Sequence, residues 1–169
     1  GNFGNVFAGY VAQQMGLPIE KFIVASNAND ILTRFFETGH MSISKVVPTI
    51  SPSMDIQVSS NFERLLYETC RRDGETVTKL MDQFRNKGSV FIGKSRWKGI
   101  CRYFEGHRVD DDAIKDTIYQ VYQETGELLD PHTAVGFAAA KSFLTKRDNL
   151  VITLATAHPA KFPDAIESA

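Results

Sequence analysis

Cysteine is scarce in this chain. Cys70 and Cys101 are the only two in 169 residues, and they lie far apart. That excludes a disulfide-stapled scaffold and matches no zinc-ligand spacing, so two reduced thiols of a cytosolic protein, and no metal site, are expected. An excess of one charge is also missing. The 19 basic and 20 acidic residues leave a net charge of −1, which gives no electrostatic case for a nucleic-acid or membrane-surface partner. No apolar stretch approaches the roughly 18 residues of a membrane span. No basic segment followed by an apolar one marks a secretory leader. Internal repeats and low-complexity tracts are absent too. What remains is ordinary: 43% hydrophobic and 23% charged residues, enough for one soluble domain with a sizeable core.

The pattern along the chain reads as α/β. Val6 to Met15 is helix-like and stops at Gly16-Leu17-Pro18. Lys21 to Ala25 suits a buried strand ended by Ser26-Asn27. Asp30 to Thr38 reads as a helix with Asp30 as its cap, Ile31, Phe35 and Phe36 as its apolar face, and Gly39 as its stop. Loop, helix, strand and helix in succession are the grammar of a parallel sheet with flanking helices. Ser42 to Pro52 is extended, and Asn61–Arg72 and Glu75–Asn86 are amphipathic helices broken at Asp73-Gly74. Residues 85–108 give no clear period and are expected to be an insertion or irregular, with Lys94, Arg96, Lys98 and Arg102 forming a solvated basic face. Asp110 to Glu124 and Pro131 to Ala140 read as helices. Leu150 to Thr156 is apolar on both faces, as a central parallel strand is.

Three features could carry chemistry. The chain opens on Gly1-Asn2-Phe3-Gly4-Asn5, directly before a helix. Glycines permit close backbone approach, and the helix start offers free N–H groups and a positive dipole end to an anion. No Lys-Ser/Thr follows, which excludes a triphosphate loop, and the third glycine and downstream acid of a dinucleotide fingerprint are missing. A compact phosphomonoester, helped by the Asn2 and Asn5 amides, fits best. Thr156 closes the apolar run, where α/β sheets bind ligands, although taken alone it reads more naturally as a β-branched strand residue. His132 and His158 each adjoin a proline and read more naturally as structural groups than as catalysts.

Taken together, five segments resemble the threonine synthase family: Gly-Asn-Phe-Gly-Asn at 1–5, Ala25 to Asp30, Ser51 to Ile56 leading into Ser59 to Arg64, Leu129 to Ala134, and Leu154 to Phe162. Each is weak alone; their order makes them specific. The resemblance implies a fold-type-II pyridoxal-phosphate enzyme, with 1–169 as a C-terminal portion of its cofactor-binding α/β region. It implies a lyase reaction, O-phospho-L-homoserine and water giving L-threonine and phosphate by β,γ-elimination and replacement. It implies that Gly1, Asn2, Phe3, Gly4 and Asn5 bind the cofactor phosphate and that Thr156 meets the pyridine nitrogen. A hydroxyl partner does not force that nitrogen into a pyridinium, which leaves the electron-sink strength of the ring to the protein.

The Schiff-base lysine of the family lies before the glycine loop, so it is expected upstream of residue 1. Lys161 matches no family position for it. The chain is therefore expected to be a piece of a cytoplasmic enzyme, to need the preceding part of its own polypeptide, and to be inactive alone. Arg64 is a candidate for the substrate phosphate, with a surface helix arginine as the plainer alternative. Two other readings stay open: another fold-type-II lyase, such as a serine or threonine dehydratase, and a non-catalytic paralogue that binds a phosphate ligand.

Overall fold

The computed structural model describes residues 2–144 and 150–169. It is an α/β arrangement built on a short parallel pair of strands. Helix α1 (Gly4–Gln14) leads to strand β1 (Phe22–Ser26), and α2 (Ile31–Thr38) follows. Strand β2 (His40–Ser42) and a 3-10 turn at Pro52–Met54 precede α3 (Phe62–Thr69) and α4 (Gly74–Lys87). Then come β3 (Ser89–Phe91), α5 (Lys94–Cys101), β4 (Phe104–Arg108), α6 (Asp111–Thr125) and α7 (Pro131–Leu144). A second 3-10 turn at Pro159–Lys161 runs into α8 (Pro163–Glu167). None of the helices among the described residues is long and apolar enough to cross a membrane.

Strand β1 organises the core. It pairs in parallel with β4, from Phe22 opposite Phe104 to Ser26 opposite Arg108. Its side chains alternate between two apolar clusters, as a strand period of two requires. Phe22 and Val24 join a large cluster with Phe35, Phe62, Phe84 and Phe104, whereas Ile23 and Ala25 pack against Ile114, Ile118, Val135 and Ala139. The first cluster is aromatic: Phe35 and Phe3 meet the Phe62 ring edge-on at 4.8 and 5.1 Å, and Phe22 stacks on Phe104 at 5.0 Å. The second is made of small and branched residues that let α6 and α7 close on the opposite face. Both cysteines are free, and burial pushes both thiols above their ordinary range.

Helix ends follow local chemistry. Gly39, Gly88 and Gly126 each terminate a helix in the left-handed conformation. Asp110 caps α6 by accepting from the Ala113 N–H, and Asp73 caps α4, where the Thr76 hydroxyl and amide hold its carboxyl below the usual range. Asp30 departs from expectation. It precedes α2 but its side chain caps nothing; its carboxylate instead takes Arg34 at 2.8 Å and Arg108 at 3.5 Å.

Two larger expectations are corrected. Residues 85–108, expected to be an insertion or irregular, are not irregular: they hold the end of α4, then β3, α5 and β4. Strand β4 carries a single fully buried residue, Phe104, with Glu105 and Arg108 exposed. Backbone pairing with a distant strand makes it a strand, and no side-chain pattern announces that. Leu150 to Thr156, expected to be a central strand, joins no ladder among the described residues. It lies along α7, with the Thr153 methyl beside Gly136, where a Cβ would sit 3.2 Å from it. Leu150, Ile152 and Leu154 point outward, 87%, 74% and 54% exposed. An apolar run becomes a central strand only where neighbours exist on both edges and both faces, and this pair of strands supplies none there.

Candidate functional site

The glycine segment forms the start of α1. Gly1 lies outside the described residues. Phe3 occupies the N-cap position with φ 65° and ψ 3°, a left-handed conformation rare for an aromatic residue. Intrahelical bonding begins with the Phe7 N–H donating to the Phe3 carbonyl at 2.9 Å, so helix geometry leaves the amides of Gly4, Asn5 and Val6 without a carbonyl in their own helix. Asn2 and Asn5 are exposed. The turn is clasped from the other side by the segment before α3. The Ser60 N–H and hydroxyl donate to Asn2 Oδ1 at 2.8 and 3.1 Å, and Asn61 Nδ2 donates to the Asn2 carbonyl at 3.0 Å. Asn61 also lies over Gly4, where a Cβ would stand 3.4 Å from its amide nitrogen. Beside these residues, Ser59 is buried and its hydroxyl has no partner among the described residues.

The Phe3 ring explains how the strained turn survives. It is 2% exposed and wedged between Phe62 and Phe104. Replacing Phe3 with glycine relieves about 1 kcal/mol of left-handed strain, but forfeits about 2 to 3 kcal/mol of burial and roughly 1 kcal/mol of ring contact. Phe3→Gly is therefore expected to lose about 2 kcal/mol of stability in urea unfolding. A more stable variant would show that strain outweighs packing.

The second group gathers at the start of α7. Asp130, 2% exposed, accepts from the His132 N–H at 2.9 Å, from the Thr133 N–H at 3.3 Å and from the Thr133 hydroxyl. It is the helix cap. Its Oδ1 also lies 3.1 Å from His132 Nδ1, and His132 Nε2 accepts the Ser53 N–H at 3.1 Å. A ring nitrogen that accepts carries no proton, so the proton sits on Nδ1 and points at Asp130. Both ring nitrogens are thereby engaged, and Phe162 covers the ring at 4.6 Å. The Thr133 hydroxyl oxygen in turn accepts the Thr156 N–H at 3.1 Å. Thr156 is exposed, and its bond to Thr133 is made by the backbone N–H, not by the side-chain hydroxyl.

Two further candidates take structural or open positions. His158 caps the turn at Pro159–Lys161, its Nδ1 accepting the Ala160 N–H at 3.2 Å. Arg64 is exposed and lines a groove of about 580 Å³ with Ser60, Tyr67 and Gly74, but Glu63 and Glu68 line it too and oppose an anion.

The carboxyl end of β1 runs into a third polar group. Asn29 behaves as a strand edge toward Val47, accepting its N–H at 2.9 Å and donating to its carbonyl at 2.8 Å. Asn27 Nδ2 reaches Ser51 Oγ and Asp55 Oδ1, both at 2.9 Å. This buried polar rivet fixes the loop whose 3-10 turn delivers the Ser53 N–H to His132. No hydrogen bond or ring contact among the described residues joins Asn2–Asn5 to Thr156 directly.

Comparison with known proteins bears on what these groups serve. The family profile described as "Threonine synthase, C-terminal" matches residues 133–169, which include Thr133 and Thr156. Threonine synthase of Pseudomonas aeruginosa is 47% identical over 169 residues, covering 100% of this chain and 36% of that protein. Over its whole length this chain is similar to threonine synthases. A solved structure of PLP-bound threonine synthase from Brucella melitensis matches with a TM-score of 0.92 at 47% identity, over 99% of this chain and 36% of that one. The yeast threonine synthase structure gives 0.94 at 41% identity, over 99% and 36%. The chain thus spans little more than a third of the length of these threonine synthases.

Reading by residue type missed Asp130, Thr133, Ser60 and Asn61 as members of the site. One signal was present. Asp130 before Pro131, with Thr133 three positions on, is an N-cap pattern with proline at the first helical position. It announces a helix start, but not that the start would hold Thr156.

Proposed function

We propose that this chain is the cofactor-binding portion of a cytoplasmic threonine synthase, which converts O-phospho-L-homoserine and water to L-threonine and phosphate with pyridoxal phosphate. The observation that supports this most is the match of nearly the whole chain to the PLP-bound Brucella melitensis enzyme at 47% identity. The residues present fit that cofactor at both ends. The amides opening α1, with Gly1, Asn2, Phe3, Gly4 and Asn5 in the turn, suit a phosphate. The unpaired Ser59 hydroxyl is a further polar atom beside them. Thr156 suits the pyridine nitrogen, because a neutral hydroxyl can hydrogen-bond it without transferring a proton. Bound pyridoxal phosphate supplies the electron sink for the elimination.

In this reading the chain's own residues bind and orient. Ser60 and Asn61 hold the turn that opens α1. The lysine that would carry the cofactor is assigned to no residue here. We infer that it comes from another part of a longer polypeptide, which would also cover Leu150, Ile152 and Leu154.

The test is product analysis on a polypeptide of the relatives' length that contains this chain. Threonine and phosphate should form in equal amounts from O-phospho-L-homoserine. Ammonia with a keto acid would instead identify a dehydratase, and ligand binding without turnover would identify a non-catalytic paralogue. The 169 residues alone should give no turnover, and threonine formation by them would overturn the assignment of the lysine elsewhere.

A further inference from the structure

We propose that Thr133 is a positioning residue for Thr156, itself held in one orientation by Asp130. The inference rests on the reading of Thr156 as the partner of the cofactor ring nitrogen. It concerns residues for which that reading gives no role.

The direction of every hydrogen bond in this group is determined. An ionised carboxylate only accepts, so the contact between Thr133 Oγ1 and Asp130 Oδ2 must be hydroxyl donation. With its proton committed, the Thr133 oxygen can only accept toward the Thr156 N–H, 3.1 Å away. Asp130 cannot turn to release it, because Oδ1 holds the His132 N–H at 2.9 Å, His132 Nδ1 at 3.1 Å and the Thr133 N–H at 3.3 Å. His132 cannot switch tautomer without giving up the Ser53 N–H at 3.1 Å. The group is buried, with Asp130, His132 and Thr133 at 2%, 7% and 6% exposure. Its last member, Thr156, is the one that reaches the surface.

The result is a backbone held at Thr156 by a bond that does not use its hydroxyl. The segment 150–156 belongs to no sheet ladder among the described residues, so this bond and the Gly136–Thr153 contact are what register it on α7. A displacement of about 1 Å at such a position costs on the order of a hundredfold in a positioned reaction.

The experiment compares Thr133→Val, Thr133→Ser and Thr156→Val in the full-length, cofactor-loaded protein. It reads Thr156 amide exchange, the visible spectrum of the bound cofactor against pH, and cofactor affinity. Thr133→Val keeps the shape and removes both hydrogen bonds; Thr133→Ser keeps both. Thr133→Val should speed Thr156 amide exchange, move the spectral titration in the same direction as Thr156→Val, and weaken cofactor binding about tenfold. Thr133→Ser should restore parent behaviour. Should the valine variant not fold, Thr133→Cys, with its poor acceptor, should show the same changes in smaller measure.

Parent-like exchange and spectra in Thr133→Val, or a Thr133→Ser variant that behaves like valine, would overturn the proposal. A Thr156→Val spectrum identical to the parent would overturn the ring-nitrogen reading. In that case fast Thr156 exchange in Thr133→Val would still uphold the positioning bond.

Discussion

Gly106→Ala should lower the stability of the chain by about 3 kcal/mol, while Gly99→Ala raises it by about 0.5 to 1 kcal/mol. Both substitutions add one methyl group, so composition cannot separate them; the surroundings do. Gly106 lies in β4 opposite Val24, under α2. A Cβ built there stands 2.5 Å from Thr33 Cα and 3.1 Å from Thr33 Cβ and Oγ1. The nearest atom is backbone, so no rotamer change relieves it, and β4 or α2 must move. Movement of Thr33 strains its 2.7 Å hydrogen bond to Ser26 Oγ at the end of β1. It also opens the packing of Phe35 and Phe36, which share that helix and are fully or nearly fully buried. Gly99, within α5, has nothing within 4 Å of a built Cβ. Alanine there only removes freedom from the unfolded chain. Urea unfolding of the two variants beside the parent checks both signs. Equal midpoints for Gly106→Ala and the parent would mean that α2 can slide on β4 at no cost.

The same position shows where the sequence was readable and where it was not. Helices α1, α2, α6 and α7 were legible because their signals are local: apolar spacing along one face, and Gly39 or Gly126 at the stop. Strand β1 was legible as a short apolar run between turn residues. Strand β4 was not. Phe-Glu-Gly-His-Arg has one apolar residue, and its glycine is there for the close approach of α2, a partner more than seventy positions earlier in the chain. The Leu150–Thr156 run failed in the opposite way. Its composition is that of a buried strand, but burial depends on what surrounds it, and composition is silent on that.

At the candidate site, the glycine turn at the start of α1 was visible from its residue types alone. Its anchoring was not, since Ser60 and Asn61 come to Asn2 from 58 and 59 positions away. Thr156 stood out as the end of an apolar run, and then through the resemblance of its Ala-His-Pro-Ala-Lys-Phe tail. Its attachment to Thr133 spans 23 positions and uses a backbone N–H, which every non-proline residue has. No residue-type signal could mark that bond.

Replacing Asp130 should be costly. Asp130→Ala removes the acceptor for the His132 N–H, His132 Nδ1, the Thr133 N–H and the Thr133 hydroxyl in one step. Removing a buried carboxylate also removes its desolvation penalty, which alone would stabilise. The donors decide the balance, because they stay buried and lose their partner. An expected loss of about 4 kcal/mol combines a lost helix cap with unsatisfied donors, which do not add in full. Asp130→Asn separates the two oxygens. The amide keeps an acceptor at Oδ1, and the cap survives. At the other position an NH₂ then faces the Thr133 hydroxyl, donor against donor. Thr133 must turn its proton away and offer the asparagine the oxygen now held by the Thr156 N–H. That variant should lose about 2 kcal/mol and should exchange the Thr156 amide proton faster than the parent. Equal losses for the two variants would show that the carboxylate's second oxygen, not the cap, holds the start of α7. Parent-like exchange in Asp130→Asn would show that Thr133 keeps Thr156 without help from Asp130.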